Sequence, residues 1–209
     1  IKDINMAQIP FSGLTIGTAS SLTKLQGALS TDEDTPLKFN IAHATMTIFK
    51  VGSNSVVRDS FGNEAYNGAD FHAAYAAARD ALTNSRTWIE TISIVGAFTS
   101  DAECALESNM IVDVSQANIT AGTDRTGSAG SAIFAGSGVD RCYIRGEGIL
   151  NSDDKTQHCV YFHADSTNVG VDKVNTRRSR NHNIYFNGCE VYSATNCNGQ
   201  ESGDDIITA

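Results

Sequence analysis

From about position 44 the chain alternates between apolar and polar residues. Thr45, Thr47, Phe49 and Val51 interleave with Met46, Ile48 and Lys50, and Gly52-Ser53-Asn54 then turns the chain toward Val56-Val57. A period of two broken by Gly and Asn predicts a β-hairpin. The period then changes: Phe71, Ala74, Tyr75, Ala78 and Leu82 fall at i, i+3, i+4, i+7 and i+11. This predicts one amphipathic helix over 67–82, with Asn67 as N-cap, Asp70 three residues on, and a stop near Asn84. Its Ala-rich apolar face suits a lid laid closely on an apolar end. Trp88 to Phe98 reads as a strand through Ile89, Ile92, Ile94 and Val95. Beyond Phe98 the helical period does not return.

An irregular repeat takes its place. Val114 and Ile119, Ile144 and Ile149, and Phe186 and Val191 are three apolar pairs, each five positions apart, and Gly146 and Gly188 stand two residues after the first member of the later two. Ser131-Ala132-Ile133-Phe134 and Cys159-Val160-Tyr161-Phe162 form a second series ahead of those blocks. Separations of 30 and 42 residues between blocks exceed what hairpins span and suit stacked coils with loops of varying length. The pattern predicts a parallel solenoid of short strands parted by one-residue kinks. Val114, Ile144 and Phe186 would share one inward column, and Ile119, Ile149 and Val191 another. The competing reading, an immunoglobulin-like sandwich, would need strands about every 8 to 12 residues joined by hairpins. Residues 1–43 keep no single period between Pro10, Gly13, Gly17, Gly27 and Pro36. They form an irregular β-rich lead-in, either an attachment segment packed on a partner chain or a cap on the domain at 44–209.

Charge changes the picture by exclusion. The 209 residues carry a net charge of -9 with a pI near 4.9, and the one basic cluster is Arg177-Arg178-Ser179-Arg180. Such a surface repels phosphate backbones, so no nucleic-acid partner is expected. No stretch approaches the roughly 18 consecutive apolar residues of a membrane helix, so no membrane insertion is expected. The sequence opens on Ile1, as a processed product or part of a longer chain would, and the solenoid is expected to continue past 209. Five Cys (Cys104, Cys142, Cys159, Cys189 and Cys197) have no zinc-type spacing. They are either buried thiols in a stacked core or, in an extracellular protein, the makings of one or two disulfides, with Cys189 to Cys197 the favoured bridge.

The order of hairpin, "YNGADFHAAYAAARDAL" helix, "TISIVGAFT" strand, "LESNMIVDVSQANITAG" and "SAIFAGSGVDRCYIRGEGIL" resembles the opening of pectin-lyase-like proteins, with Ile144, Gly146, Gly148 and Leu150 the most recognisable piece. The resemblance implies a mainly β, right-handed parallel β-helix with one N-terminal capping helix over residues 44–209. The segment "SGDDIITA" is similar to the Gly-Asp-Asp of the polygalacturonase family of glycoside hydrolases. That likeness would give Asp204 the role of general acid in inverting hydrolysis and Asp205 a share in activating water. Thr167-Asn168-Val169-Gly170-Val171-Asp172 departs from the same family, because Val169 stands where an acid helps to position the water. Adjacent strand residues also face opposite ways, so Asp204 and Asp205 share a cleft only across a bulge or turn. The alternative is a solvated turn.

Other clusters carry less. His158 and His163, five apart across a predicted strand, are expected on opposite faces as surface histidines. Asp153-Asp154, the loop Asp101 to Glu107, and Asp32-Glu33-Asp34 could take Ca2+ but lack ordered ligand spacing, and no other cofactor is implied. These features favour a structural fibre or tailspike-type protein of a tailed virus. Residues 1–43 would attach it to other virion or surface-assembly proteins, and a projecting β-helix, commonly trimeric, would recognise a surface glycan at an extracellular or virion surface. The alternatives are a secreted hydrolase of the polygalacturonase type and a cell-surface or sheath subunit.

Overall fold

The computed structural model describes residues 45–209, so the lead-in at 1–43, its attachment role and the Asp32-Glu33-Asp34 cluster lie outside the described residues. The described chain is mainly β. Three strands open it, β1 (Met46–Val51), β2 (Asn54–Asp59) and β3 (Glu64–Gly68), before helix α1 (Phe71–Asp80). Then come β4 (Glu90–Ser100), β5 (Cys104–Ala105), β6 (Met110–Ala121), β7 (Ala132–Ser137), β8 (Asp140–Arg145) and β9 (Ile149–Asn151). The remainder are β10 (His158–His163), β11 (Thr167–Asp172), β12 (Asn175–Arg177), β13 (Ile184–Asn187), β14 (Tyr192–Thr195), β15 (Asn198–Gln200) and β16 (Ile207–Thr208). Among the described residues, no helix is long and apolar enough to cross a membrane.

The predicted hairpin is β1 with β2, antiparallel and closed through Val51 and Asn54. A third antiparallel strand, β3, extends it where the sequence pattern ran into the helix. Asn67 therefore belongs to β3, and the N-cap is Asp70, whose carboxylate accepts from the His72 and Ala73 amides. The cap moved because the apolar period holds only from Phe71, and Asp70 is the acceptor directly before it. The inward face of α1 lays Phe71 against Phe98, ring centroids 4.6 Å apart, and Tyr75 edge-on to Phe134 at 5.6 Å. The Tyr75 hydroxyl donates to the Ala105 carbonyl at 3.1 Å, so the lid is fastened to the first coil.

Among the described residues, every strand pairing made within β4 to β16 is parallel. Strands β4–β6, β6–β8, β8–β11 and β11–β14 run in one sheet and β5–β7–β10–β13–β16 in a second, here termed sheets A and B. A third ladder, β9–β12–β15, continues from the far half of β6. The chain visits sheet B, sheet A and this third ladder in turn. Coil lengths in sheet A are 32, 27 and 23 residues, from Met110 to Cys142, Val169 and Tyr192.

The predicted one-residue kinks are present. Gly146, Lys173 and Asn196 occupy one corner in successive coils at φ 110°, 61° and 53°, and Gly138, Ala164 and Gly188 another at 60°, 55° and 66°. At these corners one left-handed residue, or two at Ala164-Asp165, turns the chain from one ladder into the next. Gly148 has a further reason to be glycine: a Cβ there would lie 1.9 Å from the Val114 carbonyl oxygen.

The inward columns differ from those predicted. Ile144 stacks on Val112 and Val171 in sheet A, whereas Phe186 lies in sheet B beside Phe162, with parallel rings 5.8 Å apart. Both are buried, but they are neither in one column nor in adjacent coils. Ile119 pairs with Leu150, Ile149 pairs with Asn118 and Asn175, and Val191 is exposed. Coils of unequal length shift the register, so equal spacing within blocks does not mark equal height in the stack. All five Cys are free thiols, without the Cys189 to Cys197 bridge. Burial pushes Cys104, Cys142 and Cys159 up to about 12, which leaves them unreactive core residues.

Candidate functional site

Sheet B has two faces, and strand alternation sorts its residues between them. Val160, Phe162, Ile184 and Phe186 point into the core, while Tyr161, His163, Tyr185 and Asn187 point out. A bulge adds one more ring to the outer side. The Cys159 and Val160 amides both donate to the Asn183 carbonyl, at 3.0 and 3.1 Å, and both side chains are fully buried. Two consecutive inward residues reverse the parity of the strand. His158 consequently stacks on Tyr161 and packs against Tyr185, both at 5.1 Å. The expectation that His158 and His163 face opposite sides is therefore wrong, because it assumed an unbroken strand. His158 is also buried rather than a surface histidine.

The outer face thus carries five rings in contact. Tyr161 stacks with His163 at 4.6 Å and with Tyr185 at 5.3 Å, and His182 lies parallel to His158 at 5.6 Å. Asn187 Nδ2 donates to the Tyr161 hydroxyl at 3.1 Å, which fixes that ring's polar tip. Burial pulls His158 down to about 4, against the opposing pull of the His182 and Ala129 carbonyls. The ring is neutral near pH 7, and its Nδ1 donates to the His182 carbonyl at 3.2 Å.

Beside this face lies a shallow groove. Tyr161, His163 and Ala135 line it from sheet B, and Glu103, Asp124 and Arg125 line it from the loops around β5 and β7. Gly130 lies so close to Tyr161 that a Cβ there would be 2.8 Å from the ring. Glu103 is exposed, with Oε2 3.3 Å from the Ala132 amide that donates to it. Partial burial of its carboxyl raises its pKa, while the Ala132 amide, Arg125 and His163 act in the opposite direction. The Thr126 hydroxyl and amide, at 2.7 and 2.9 Å, hold Asp124 below its ordinary value. Arg125 is half-buried, donates from Nη2 to the Ala132 carbonyl at 3.0 Å, and is lowered by burial.

Of the residues singled out from sequence, Asp204 and Asp205 sit in a turn ahead of β16 rather than on a strand, so the parity objection does not arise. Both are exposed, and one ligand atom from each lies within 4.8 Å of the other and of His182. The Asp205 amide donates to His182 Nδ1 at 3.4 Å, and Thr208 donates to the Asp205 carboxylate at 3.1 Å. Through His182 this acidic turn adjoins the ring face. Val169 is buried in sheet A, and Asp172 there accepts from Thr195 at 2.6 Å and Asn196 at 3.2 Å. The polygalacturonase-like residues are thus divided between sheet A and the turn ahead of β16.

As metal ligands, an imidazole and two carboxylates are a mixed donor set, poorly matched to the six to eight oxygens of Ca2+. Asp153 and Asp154 are bound to Arg178 at 2.5 and 2.7 Å, with Lys155 3.0 Å from Asp153. In the 101–107 loop, Glu107 pairs with Arg79 and Arg86, and Asp101 accepts from Thr123. Sequence reasoning missed Tyr161, Tyr185 and His182. The signal for the tyrosines was the repeat of Val160-Tyr161-Phe162-His163 as Ile184-Tyr185-Phe186-Asn187. No protein-family profile, curated protein or solved structure matches this chain.

Proposed function

We propose that the chain is a fibre or tailspike-type protein of a tailed virus, built on a right-handed parallel β-helix, which recognises a host-surface glycan through the outer face of sheet B. One observation carries the reading: the cluster of Tyr161, His163, His182 and Tyr185 on the outer side of sheet B, backed by the buried His158, with carboxylates and an amide at its margins. A pyranose has an apolar C–H face and a hydroxyl edge, so it matches rings flanked by hydrogen-bonding groups. Nucleobases also stack on rings, but a chain with net charge -9 opposes their phosphates.

The right hand follows the strong preference of parallel crossovers. Assembly through residues 1–43 rests on the irregular sequence pattern of that lead-in, and a trimeric state and an extracellular or virion-surface location rest on the sequence resemblance. The test is binding of purified host-surface polysaccharide to the full chain and to its Tyr161→Ser/Tyr185→Ser variant. The reading requires binding that the variant loses; equal binding by both removes it.

The hydrolase reading keeps one observation in its favour, the convergence of Asp204, Asp205 and His182. Against it stand the burial of Val169 and the engagement of Asp172 with Thr195 and Asn196. No reducing-end release from polygalacturonate is expected. Turnover that disappears in Asp204→Asn would reverse the preference.

A further inference from the structure

We infer that the groove bounded by Tyr161, Glu103, Asp124 and Arg125 is a subsite for a neutral, hydroxyl-rich sugar unit, and that it rejects uronic, sialic or sulfated units. This rests on the proposed recognition of a glycan and narrows it to a substrate class.

Donors and acceptors decide the matter. Two carboxylates line the groove against one guanidinium. An ionised carboxylate only accepts hydrogen bonds, so its ligand must present donors, as sugar hydroxyls and acetamido N–H groups do. Arg125 is poorly placed to offset a ligand anion: one nitrogen is on the Ala132 carbonyl, and Nε and Nη1 are buried without a hydrogen-bond partner. The next cations are also engaged, Lys155 with Asp153 at 3.0 Å and Arg180 with the Asp154 carbonyl at 3.3 Å. A ligand carboxylate or sulfate would thus meet two like charges, and the Ser128, Ser131 and Tyr161 hydroxyls that line the groove can donate to it but carry no charge to offset them.

The rest of the wall fits the same ligand. Along the outer column of sheet B, Ala105, Ala135, Tyr161 and Tyr185 succeed one another in register. Two small residues are succeeded by two rings, so the groove lies where the ring column gives way to alanines. Gly127 and Gly130 line its far side, and Gly130 packs on Tyr161 with no side chain between. A basic peptide would also supply donors, and it enters the test as a competitor.

The experiment titrates the full chain separately with mannohexaose, cellohexaose, chitohexaose, hexagalacturonate and hexalysine, observing saturation-transfer NMR and calorimetry. The expected result is binding of a neutral hexasaccharide that changes little between about 0.02 and 0.5 M salt, where a charge-driven contact would weaken. Glu103→Gln, which keeps the shape and removes the charge, should weaken it about tenfold or more, whereas Tyr161→Phe should retain most of it. Tighter binding of hexagalacturonate or hexalysine overturns the inference, as does a neutral ligand indifferent to Glu103→Gln. An anionic sugar bound at the rings leaves the glycan reading standing and removes only the restriction to neutral units. Failure of every sugar to bind, neutral and anionic alike, removes both.

Discussion

Strands β10 and β13 have two faces made from alternate residues of the same few positions, and the faces obey different rules. Inward, Val160, Phe162, Ile184 and Phe186 lie in buried columns between coils, each at most 2% exposed. Outward, Tyr161, His163 and Tyr185 are half-buried and touch one another, and the Tyr161 hydroxyl is held by Asn187 of the neighbouring coil. The inner face determines whether the coils stack. The outer face has rings that the stack does not need in order to bury its core, and that difference identifies the site.

The comparison should break most visibly on the inner side. Phe162→Ala removes a ring enclosed between coils and parallel to Phe186. It should cost about 3 to 5 kcal/mol in chemical denaturation, with glycan binding intact in whatever fraction stays folded. A loss under about 1 kcal/mol would mean that the columns do not hold the coils together.

His158 belongs to both faces, since it is buried yet packed among the outer rings, and it sharpens the comparison through pH. Its folded pKa is about 4 because burial disfavours the imidazolium, while the unfolded chain takes up the same proton near 6.5. Between these values the unfolded state holds more protons, so stability is full above about pH 6.5 and falls as pH drops toward 4, by up to about 3 kcal/mol. Melting curves across that window should show the fall in the parent chain and less of it in His158→Gln. Parallel slopes in the two proteins would contradict the assignment.

Smaller effects test the margins. Asp70→Ala removes the acceptor for the His72 and Ala73 amides and should cost about 1 kcal/mol through α1, without touching the ring face. Tyr185→Ser should cost about 1 kcal/mol or less in stability yet weaken glycan binding. If its stability loss matched that of Phe162→Ala, the outer rings would be core rather than site.

Much of the fold was legible in the sequence because it is local. The β1–β2 hairpin, the apolar stripe of α1, β4 and the kinked short strands come from period and turn chemistry within a few residues of each position. The columns were not legible, because coil lengths of 32, 27 and 23 residues place Ile144 and Phe186 in different sheets despite similar surroundings. The site was half legible. Asp204, Asp205 and the acidic loop containing Glu103 stood out as charges, but their connection to the rings runs through His182 and across coils. His158 was hidden by the Cys159–Val160 bulge, which no local pattern announces.

The most direct test is amide chemical-shift mapping of the full chain titrated with host-surface oligosaccharide. The account predicts perturbations concentrated at Glu103, residues 124–131, His158 to His163 and His182 to Asn187, with Val112, Ile144 and Val171 of sheet A unmoved. Perturbations centred on sheet A, or none at saturating oligosaccharide, would contradict it.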